Sequence, residues 1–126
     1  MTLKRVRMEL ARNKDFPEGS PNHGYEVTLP LTENHTFDPV AWEADALICT
    51  AVKFAAGADD QHGQLVRTED GPWAFSYELG ETDDEPIHRL EMHVFEPDEY
   101  VTVTDIGGEE HVYRLKSVDD LHFPTP

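Results

Sequence analysis

The sequence predicts a mainly β protein, a small antiparallel β-barrel or two-layer sandwich of about seven strands with one short helix. Apolar and polar residues alternate in several short segments, which is the pattern of half-buried strands. Glycine, proline and Asp-Gly pairs separate these segments and indicate turns. The pattern lacks a regular alternation of strands and helices, so an antiparallel arrangement is expected. Closure into a barrel or packing of two sheets would protect the strand edges.

The strongest single indication is residues 99–118, which predict a β-hairpin. Gly107-Gly108 is expected to be a two-residue loop, because glycine accepts the positive φ angles that such a loop needs. This loop fixes which residues of the two strands oppose each other. The expected pairs are Val103–Val112, Thr104–His111, Thr102–Tyr113 and Tyr100–Leu115.

The N-terminal segments predict two strands joined by a loop. Leu3–Ala11 alternates, which favours a strand over a short helix. Asn13–Gly24 contains two prolines and two glycines and is expected to be irregular. Tyr25–Leu31 alternates again and predicts the second strand, with Pro30 near its end.

A short helix is expected over Asp38–Asp45. Aspartate is a preferred N-cap and proline fits the first helical position, as in Asp38-Pro39. The next segment, Leu47–Phe54, is rich in β-branched and aromatic residues and favours a strand after the helix. The alanines around it leave a continuous helix open as the alternative.

The C-terminal half predicts further strands over Gln64–Thr68 and Trp73–Leu79, joined by a turn at Asp70-Gly71. The large residues of the second strand share one face and are expected in the core. Gly80–Pro86 is expected to be an exposed acidic loop, and Ile87–Phe95 another strand.

The composition predicts one domain over residues 1–126. The single cysteine, Cys49, excludes an internal disulfide and a cysteine zinc cluster within one chain, and its apolar neighbours predict a buried thiol. The basic N-terminus lacks the apolar region of a secretory signal, and apolar runs stay well below the roughly 20 residues of a membrane span. A soluble, cytoplasmic protein is therefore expected.

The formal net charge of −16 is distributed unevenly. Residues 1–14 contain five basic residues and one acidic residue, whereas residues 15–126 contain five basic and 25 acidic residues. Such acidity argues against nucleic acid and anionic membranes as partners. It indicates either a surface adapted for solubility or an acidic face for a basic protein partner. Arg5, Arg7 and Arg89 could form a small basic patch or pair with acidic neighbours.

Aromatic residues of the predicted strands are candidates for lining a small-molecule cavity, if the barrel is hollow. They would otherwise form the core. This set is Trp73, Phe75, Tyr77, Tyr100 and Tyr113.

A metal cluster of Glu91, His93 and His111 is geometrically possible, because the first two share a strand face and the third would lie nearby on an adjacent strand. The alternative is a solvated strand face. The acidic segments 59–62 and 81–85 carry oxygen ligands but do not match an EF-hand loop, so surface acidity explains them. Neither a G-x-S-x-G motif nor a phosphate-binding glycine loop is present. No cofactor is expected, and no catalytic residue is assigned.

Several segments together resemble a family of small, uncharacterised bacterial proteins with no assigned activity. The segments are VRMELAR, FPEGS before HGYE, GQLVRT, WAFSY, HVFEPDEYVTVTD and EEHVYRLKSV. The resemblance implies a stand-alone domain and implies no site residue.

The sequence thus predicts a soluble, non-catalytic domain that binds a protein partner through a loop end or an exposed strand edge. A small-molecule-binding barrel is the first alternative, and a metal-dependent enzyme or metal sensor is the second. The oligomeric state is left open.

Overall fold

Eight strands form a closed antiparallel barrel in which each strand pairs with the next along the chain, and the last pairs with the first. The computed structural model describes residues 2–44, 46–68, 72–77, 84–87, 89–105 and 107–120. The strands are β1 (Thr2–Leu10), β2 (Ser20–Leu31), β3 (Thr50–Phe54), β4 (Gln61–Arg67), β5 (Trp73–Ser76), β6 (Glu85–Ile87), β7 (Tyr100–Thr104) and β8 (Glu110–Asp120). The prediction of a mainly β barrel is confirmed.

One short helix, α1 (Pro39–Ala44), follows β2, and 3-10 turns occupy Ala46–Ile48 and Leu90–Met92. The Asp38 side chain accepts a hydrogen bond from the Ala41 amide at 3.1 Å, which confirms Asp38 as the N-cap. Trp42 Nε1 donates to the Leu65 carbonyl at 2.9 Å and holds α1 against β4. The expected helix end, Asp45, lies outside the described residues. Within those residues, no helix has the length and apolar character needed to cross a membrane.

The barrel interior is filled by side chains from alternate positions of the strands. Val6, Leu29 and Phe75 are among the fully buried residues. Leu90 and Phe95 enter from the segment after β6 and join this core. A cavity among the apolar side chains of the described residues measures about 10 Å³, close to the roughly 10–15 Å³ needed to hold one water molecule.

The hairpin of β7 and β8 is present, but its predicted register is wrong by one residue. The closing pair is Asp105–Glu109, so the connection contains three residues rather than two. Asp105 Oδ1 accepts hydrogen bonds from the Gly107 and Glu109 amides, both at 2.9 Å, and Gly108 adopts a φ of 84°. A three-residue loop with glycine in this conformation is a common hairpin connection.

The register shift changes which residues of β8 share a face with the buried valines of β7, because side chains alternate along a strand. Tyr113 and Leu115 point into the core, whereas Val112 and Tyr100 are exposed on the outer surface. The observed pairs are Tyr100–Arg114, Val101–Tyr113, Thr102–Val112, Val103–His111 and Thr104–Glu110.

Two predictions about the segment before this hairpin are also wrong. Ile87–Phe95 is not one strand, because β6 ends at Ile87 and Arg89 adopts a left-handed conformation with φ 51°. The chain then turns at Leu90–Met92 and directs Leu90 into the core. Glu85 and Pro86, expected in an exposed loop, belong to β6, and Glu85 is buried. Residues 80–83 lie outside the described residues.

The seams between neighbouring strands differ greatly in length. β1 and β2 pair over nine residues of β1, from Thr2 to Leu10. Among the residues that the structure describes, β6 and β7 share one register pair, Ile87–Val103. This seam is the shortest in the described part of the barrel.

Gly24 lies where β2 passes close to β1, and substitution there has a predictable effect. A Cβ atom at Gly24 would lie 1.9 Å from the Met8 carbonyl oxygen, so the backbone would have to move. Gly24→Ala is expected to lower the free energy of unfolding by about 1–3 kcal/mol, measured by urea denaturation. Gly107→Ala is the control, because its nearest neighbour would be Asp105 Oδ1 at 3.4 Å. Equal losses of unfolding free energy in the two variants would contradict the expected clash between a Cβ atom at position 24 and the Met8 carbonyl.

Candidate functional site

A buried group of polar side chains lies at the end of the barrel where β1, β3, β5 and β7 finish. We call Tyr25, Lys53, Tyr77 and Glu85 the polar cluster. Tyr25 and Lys53 are direct partners across the β2–β3 ladder. Glu85 pairs with Phe75, and Tyr77 follows Phe75 by two residues. The side chains of Glu85 and Tyr77 therefore point to the same interior region. Strand register therefore brings together four residues that are distant in sequence.

Glu85 is the centre of the polar cluster and is only 1% exposed. Its Oε1 atom accepts hydrogen bonds from the Tyr25 hydroxyl at 2.9 Å and the Tyr77 hydroxyl at 2.6 Å. Its Oε2 atom accepts a hydrogen bond from Lys53 Nζ at 2.6 Å. A buried carboxylate is tolerated when a charged partner and further donors satisfy its oxygens. Both oxygens of Glu85 are satisfied in this way within the chain.

Burial also changes the acidity of the tyrosines. Desolvation raises the pKa of Tyr25 and of Tyr77 far above the usual value, and the nearby Glu85 carboxylate adds to both effects. Burial raises the pKa of the neighbouring Tyr113 to about 12. The Tyr113 ring packs edge-on against Tyr25, with centroids 5.0 Å apart. These three tyrosines therefore stay neutral at alkaline pH values at which exposed tyrosines ionise.

The aromatic residues predicted to line a cavity are not all brought together. Trp73 and Phe75 are packed in the core, where Phe75 contacts Tyr25 with ring centroids 4.7 Å apart. Tyr77 belongs to the polar cluster, and Tyr113 adjoins it. Tyr100 lies on the outer surface and is 55% exposed. Four of the five thus face the interior.

The predicted metal ligands are separated as well. Glu91 accepts a hydrogen bond from Trp73 Nε1 at 2.5 Å, and His93 lies beside Phe95. His111 Nε2 is 2.8 Å from Asp105 Oδ2. Neither Glu91 nor His93 joins His111 in a group whose ligand atoms lie within 4.8 Å of one another.

A different triad of potential ligands is formed within the described residues by Asp105, Glu109 and His111. The hydrogen bond from His111 and those from the Glu109 and Gly107 amides lower the pKa of Asp105. These bonds close the hairpin loop, which explains the arrangement without an ion. Of the acidic segments considered for calcium, residues 59–62 are exposed, and residues 81–83 lie outside the described residues.

A groove of about 360 Å³ runs along the outer wall of the barrel. We call it the outer groove. One wall is residues 18–21, where the β1–β2 connection enters β2, and the other comprises the outward side chains of β7 and β8. Its principal outward residues are Arg12, Tyr100, Val112, Arg114 and Lys116.

The β1–β2 connection is held in place by its own hydrogen bonds. Asn13 Oδ1 accepts bonds from the Asp15 and Phe16 amides at 2.9 and 2.8 Å. The Phe16 carbonyl accepts bonds from the Asn13 and Gly19 amides, both at 2.9 Å. Phe16 packs against the core cluster. This wall of the outer groove is thus anchored to the barrel.

Tyr100 and Val112 form the apolar surface of the outer groove, and Val112 is 42% exposed. They are diagonal neighbours on the outer face of β7 and β8, because Tyr100 pairs with Arg114 and Thr102 with Val112. The two-residue loop predicted from the sequence placed Val112 opposite Val103. The extra loop residue between Asp105 and Glu109 turns Val112 to the outer surface. Two successive glycines fit either loop length, so the sequence alone does not predict this surface.

Two further depressions, of about 400 and 490 Å³, meet at Trp73. Their rims carry two highly exposed apolar residues, Val40 and Met92. Trp73 itself is buried against Phe37 and Trp42, with ring centroids 4.7 Å away in both cases.

Comparisons with protein-family models, curated proteins and solved structures found no match to this chain. The class of protein is therefore inferred from the barrel and its surface.

Proposed function

We propose that the chain is a soluble, non-catalytic protein-interaction domain that binds its partner in the outer groove. The observation that carries the proposal is the exposure of Tyr100 and Val112 between an anchored loop and a row of cationic side chains. A cytoplasmic setting belongs to the same proposal and suits a chain whose single cysteine, Cys49, is buried and forms no internal disulfide.

The composition of the outer groove favours protein recognition. Tyrosine and arginine are enriched where protein interfaces concentrate their binding energy. Tyr100 supplies a large amphipathic surface, and Arg12 and Arg114 lie on the same groove. The barrel strands and the anchored connection fix the backbone that carries these groups, which lowers the entropy lost on binding.

The interior supports this choice over binding of a small molecule inside the barrel. Ligand cavities for small molecules usually measure about 300–1,000 Å³, whereas the cavity among the apolar core residues measures about 10 Å³. The carboxylate of Glu85 is occupied by Tyr25, Tyr77 and Lys53. These contacts favour a structural role for the polar cluster.

Tyr100→Ser is expected to abolish most partner binding, because it removes the aromatic surface of the outer groove. The measurement is affinity purification from cells of the source organism at physiological salt, followed by titration of each retained protein with purified variants. For a protein that binds in the outer groove, the dissociation constant with Tyr100→Ser should be at least about tenfold higher than with wild type, as for a binding hot spot.

Met92→Ser is the matched control, because Met92 is also apolar and is 75% exposed but lies outside the outer groove. A partner that binds wild type and Met92→Ser equally and Tyr100→Ser weakly supports the proposal. A partner whose affinity falls only with Met92→Ser would instead place binding near Trp73. Absence of any protein bound by the wild type at physiological salt would contradict the proposed function.

A further inference from the structure

We infer that the outer groove binds an extended acidic segment of its partner, with an apolar side chain placed against Tyr100 and Val112. This inference rests on the proposed function and specifies the chemistry of the partner. It runs against the acidity of the whole chain, which alone would favour a basic partner.

Most cations of this acidic chain lie on β1, on the connection after it and on β8, and three of them line the outer groove. Seven of the ten lysines and arginines lie in residues 1–14 and 114–116. β1 and β8 are paired side by side, from Lys4–Asp120 to Leu10–Tyr113, so the fold joins these two sequence regions. The seven residues are Lys4, Arg5, Arg7, Arg12, Lys14, Arg114 and Lys116.

The cations that line the outer groove are available to a partner. Arg12 and Lys116 are exposed and have no acidic partner within 4.0 Å among the described residues. Arg114 Nε donates to Asp98 Oδ1 at 2.8 Å, but the Asp98 side chain is 71% exposed. Exposed ion pairs contribute little stability and are readily exchanged. Three cationic side chains can therefore contact carboxylates of a bound segment.

The acidic residues that line the outer groove are only two. Glu9 Oε2 accepts a hydrogen bond from Arg7 Nε at 2.9 Å, and the same guanidinium donates to Glu26 Oε1 at 2.8 Å, so Arg7 offsets part of the Glu9 charge. Glu18 is exposed on the loop wall. Three cationic and two acidic residues thus line the outer groove, whereas the whole chain holds 26 acidic and ten basic residues.

A short protein segment fits these charges better than a nucleic acid does. Long polyphosphates require many cations along their length, and the outer groove offers three beside a strongly acidic body. A peptide needs only two or three carboxylates here, and an adjacent leucine- or phenylalanine-type side chain would cover Tyr100 and Val112. Charge-assisted hydrogen bonds from arginine to carboxylate add directional specificity.

The experiment is selection of a random twelve-residue peptide library against the full-length protein at physiological salt, followed by affinity measurement with synthetic peptides. We expect the enriched peptides to carry two or more Asp or Glu residues around an apolar residue. Arg12→Glu and Lys116→Glu should each weaken the best peptide at least about tenfold. Arg67→Glu is the matched control, because it makes the same change in net charge outside the outer groove, and it should change the affinity less than threefold.

The outcomes separate this inference from the proposed function. Peptides that depend on Tyr100 but are basic or uncharged overturn the acidic-segment inference and leave the proposed function standing. If the selection enriches no peptide whose binding depends on Tyr100, the result counts against the acidic-segment inference and against the proposed function. If Arg12→Glu and Arg67→Glu weaken peptide binding equally, the net charge of the protein controls the affinity rather than the outer groove. This result would also overturn the inference. Circular dichroism of every variant checks that the barrel is folded.

Discussion

Lys53→Met is expected to lower the free energy of unfolding by about 3–5 kcal/mol, the usual effect of removing one partner of a buried ion pair. The remaining charge on Glu85 would be left at 1% exposure, with only Tyr25 and Tyr77 as donors. The Lys53 side chain is 27% exposed and can reach water, whereas Glu85 cannot. Urea denaturation at neutral pH measures the effect.

A double substitution tests whether the charge or the packing is responsible. Lys53→Met combined with Glu85→Leu removes both charges and keeps similar volumes, so it should recover part of the stability lost in the single variant. The tyrosine hydroxyls would still lose their acceptor, at about 1 kcal/mol each. Lys116→Met serves as the surface control and should stay within about 0.5 kcal/mol of wild type. A double variant less stable than Lys53→Met would refute this account of the polar cluster.

Stability is also expected to fall steeply above about pH 10. Tyr25, Tyr77 and Tyr113 have pKa values raised by burial in the folded state, whereas tyrosines of the unfolded chain titrate near pH 10. The unfolded chain then releases protons that the folded chain keeps, so alkaline pH favours unfolding. Each such tyrosine contributes about 1.4 kcal/mol per pH unit. The stabilisation is complete below pH 10, and the contribution of Tyr113 is lost as the pH rises to about 12.

Urea denaturation at several pH values between 9 and 11.5 measures this slope, which should approach about 4 kcal/mol per pH unit for three tyrosines. Tyr77→Phe should reduce the slope by about a third, whatever its effect on absolute stability. Tyr100→Phe is the control, because Tyr100 is exposed on the outer wall. If the slope is unchanged in Tyr77→Phe, the Tyr77 hydroxyl does not contribute to the pH dependence of stability.

The sequence was sufficient for a mainly β fold, since alternation indicates the two faces of a strand, but it leaves a closed barrel and a two-layer sandwich as alternatives. β1, the second half of β2 and the Asp38 cap are local features and were predicted. Glu85 was assigned to an exposed loop because its neighbours are acidic, and its partners Tyr25 and Lys53 come from strands far away in sequence. Sequence patterns hold no record of such long-range hydrogen bonds.

The outer groove was missed for a different reason. A single extra residue in the connection from Asp105 to Glu109 determines whether Val112 faces the core or solvent. Two glycines in succession fit a two-residue loop and a three-residue loop equally well. Only the hydrogen bonds from the Gly107 and Glu109 amides to Asp105 distinguish the two.

The short seam between β6 and β7 has a consequence for self-association. A barrel avoids edge-to-edge aggregation because closure leaves no unpaired strand edge. If this seam, which contains the pair Ile87–Val103, separates, the same eight strands become an open sheet with two new edges. Substitutions that weaken this pair would therefore act on solubility as well as on stability. The strong net charge of −16 opposes association of such opened molecules.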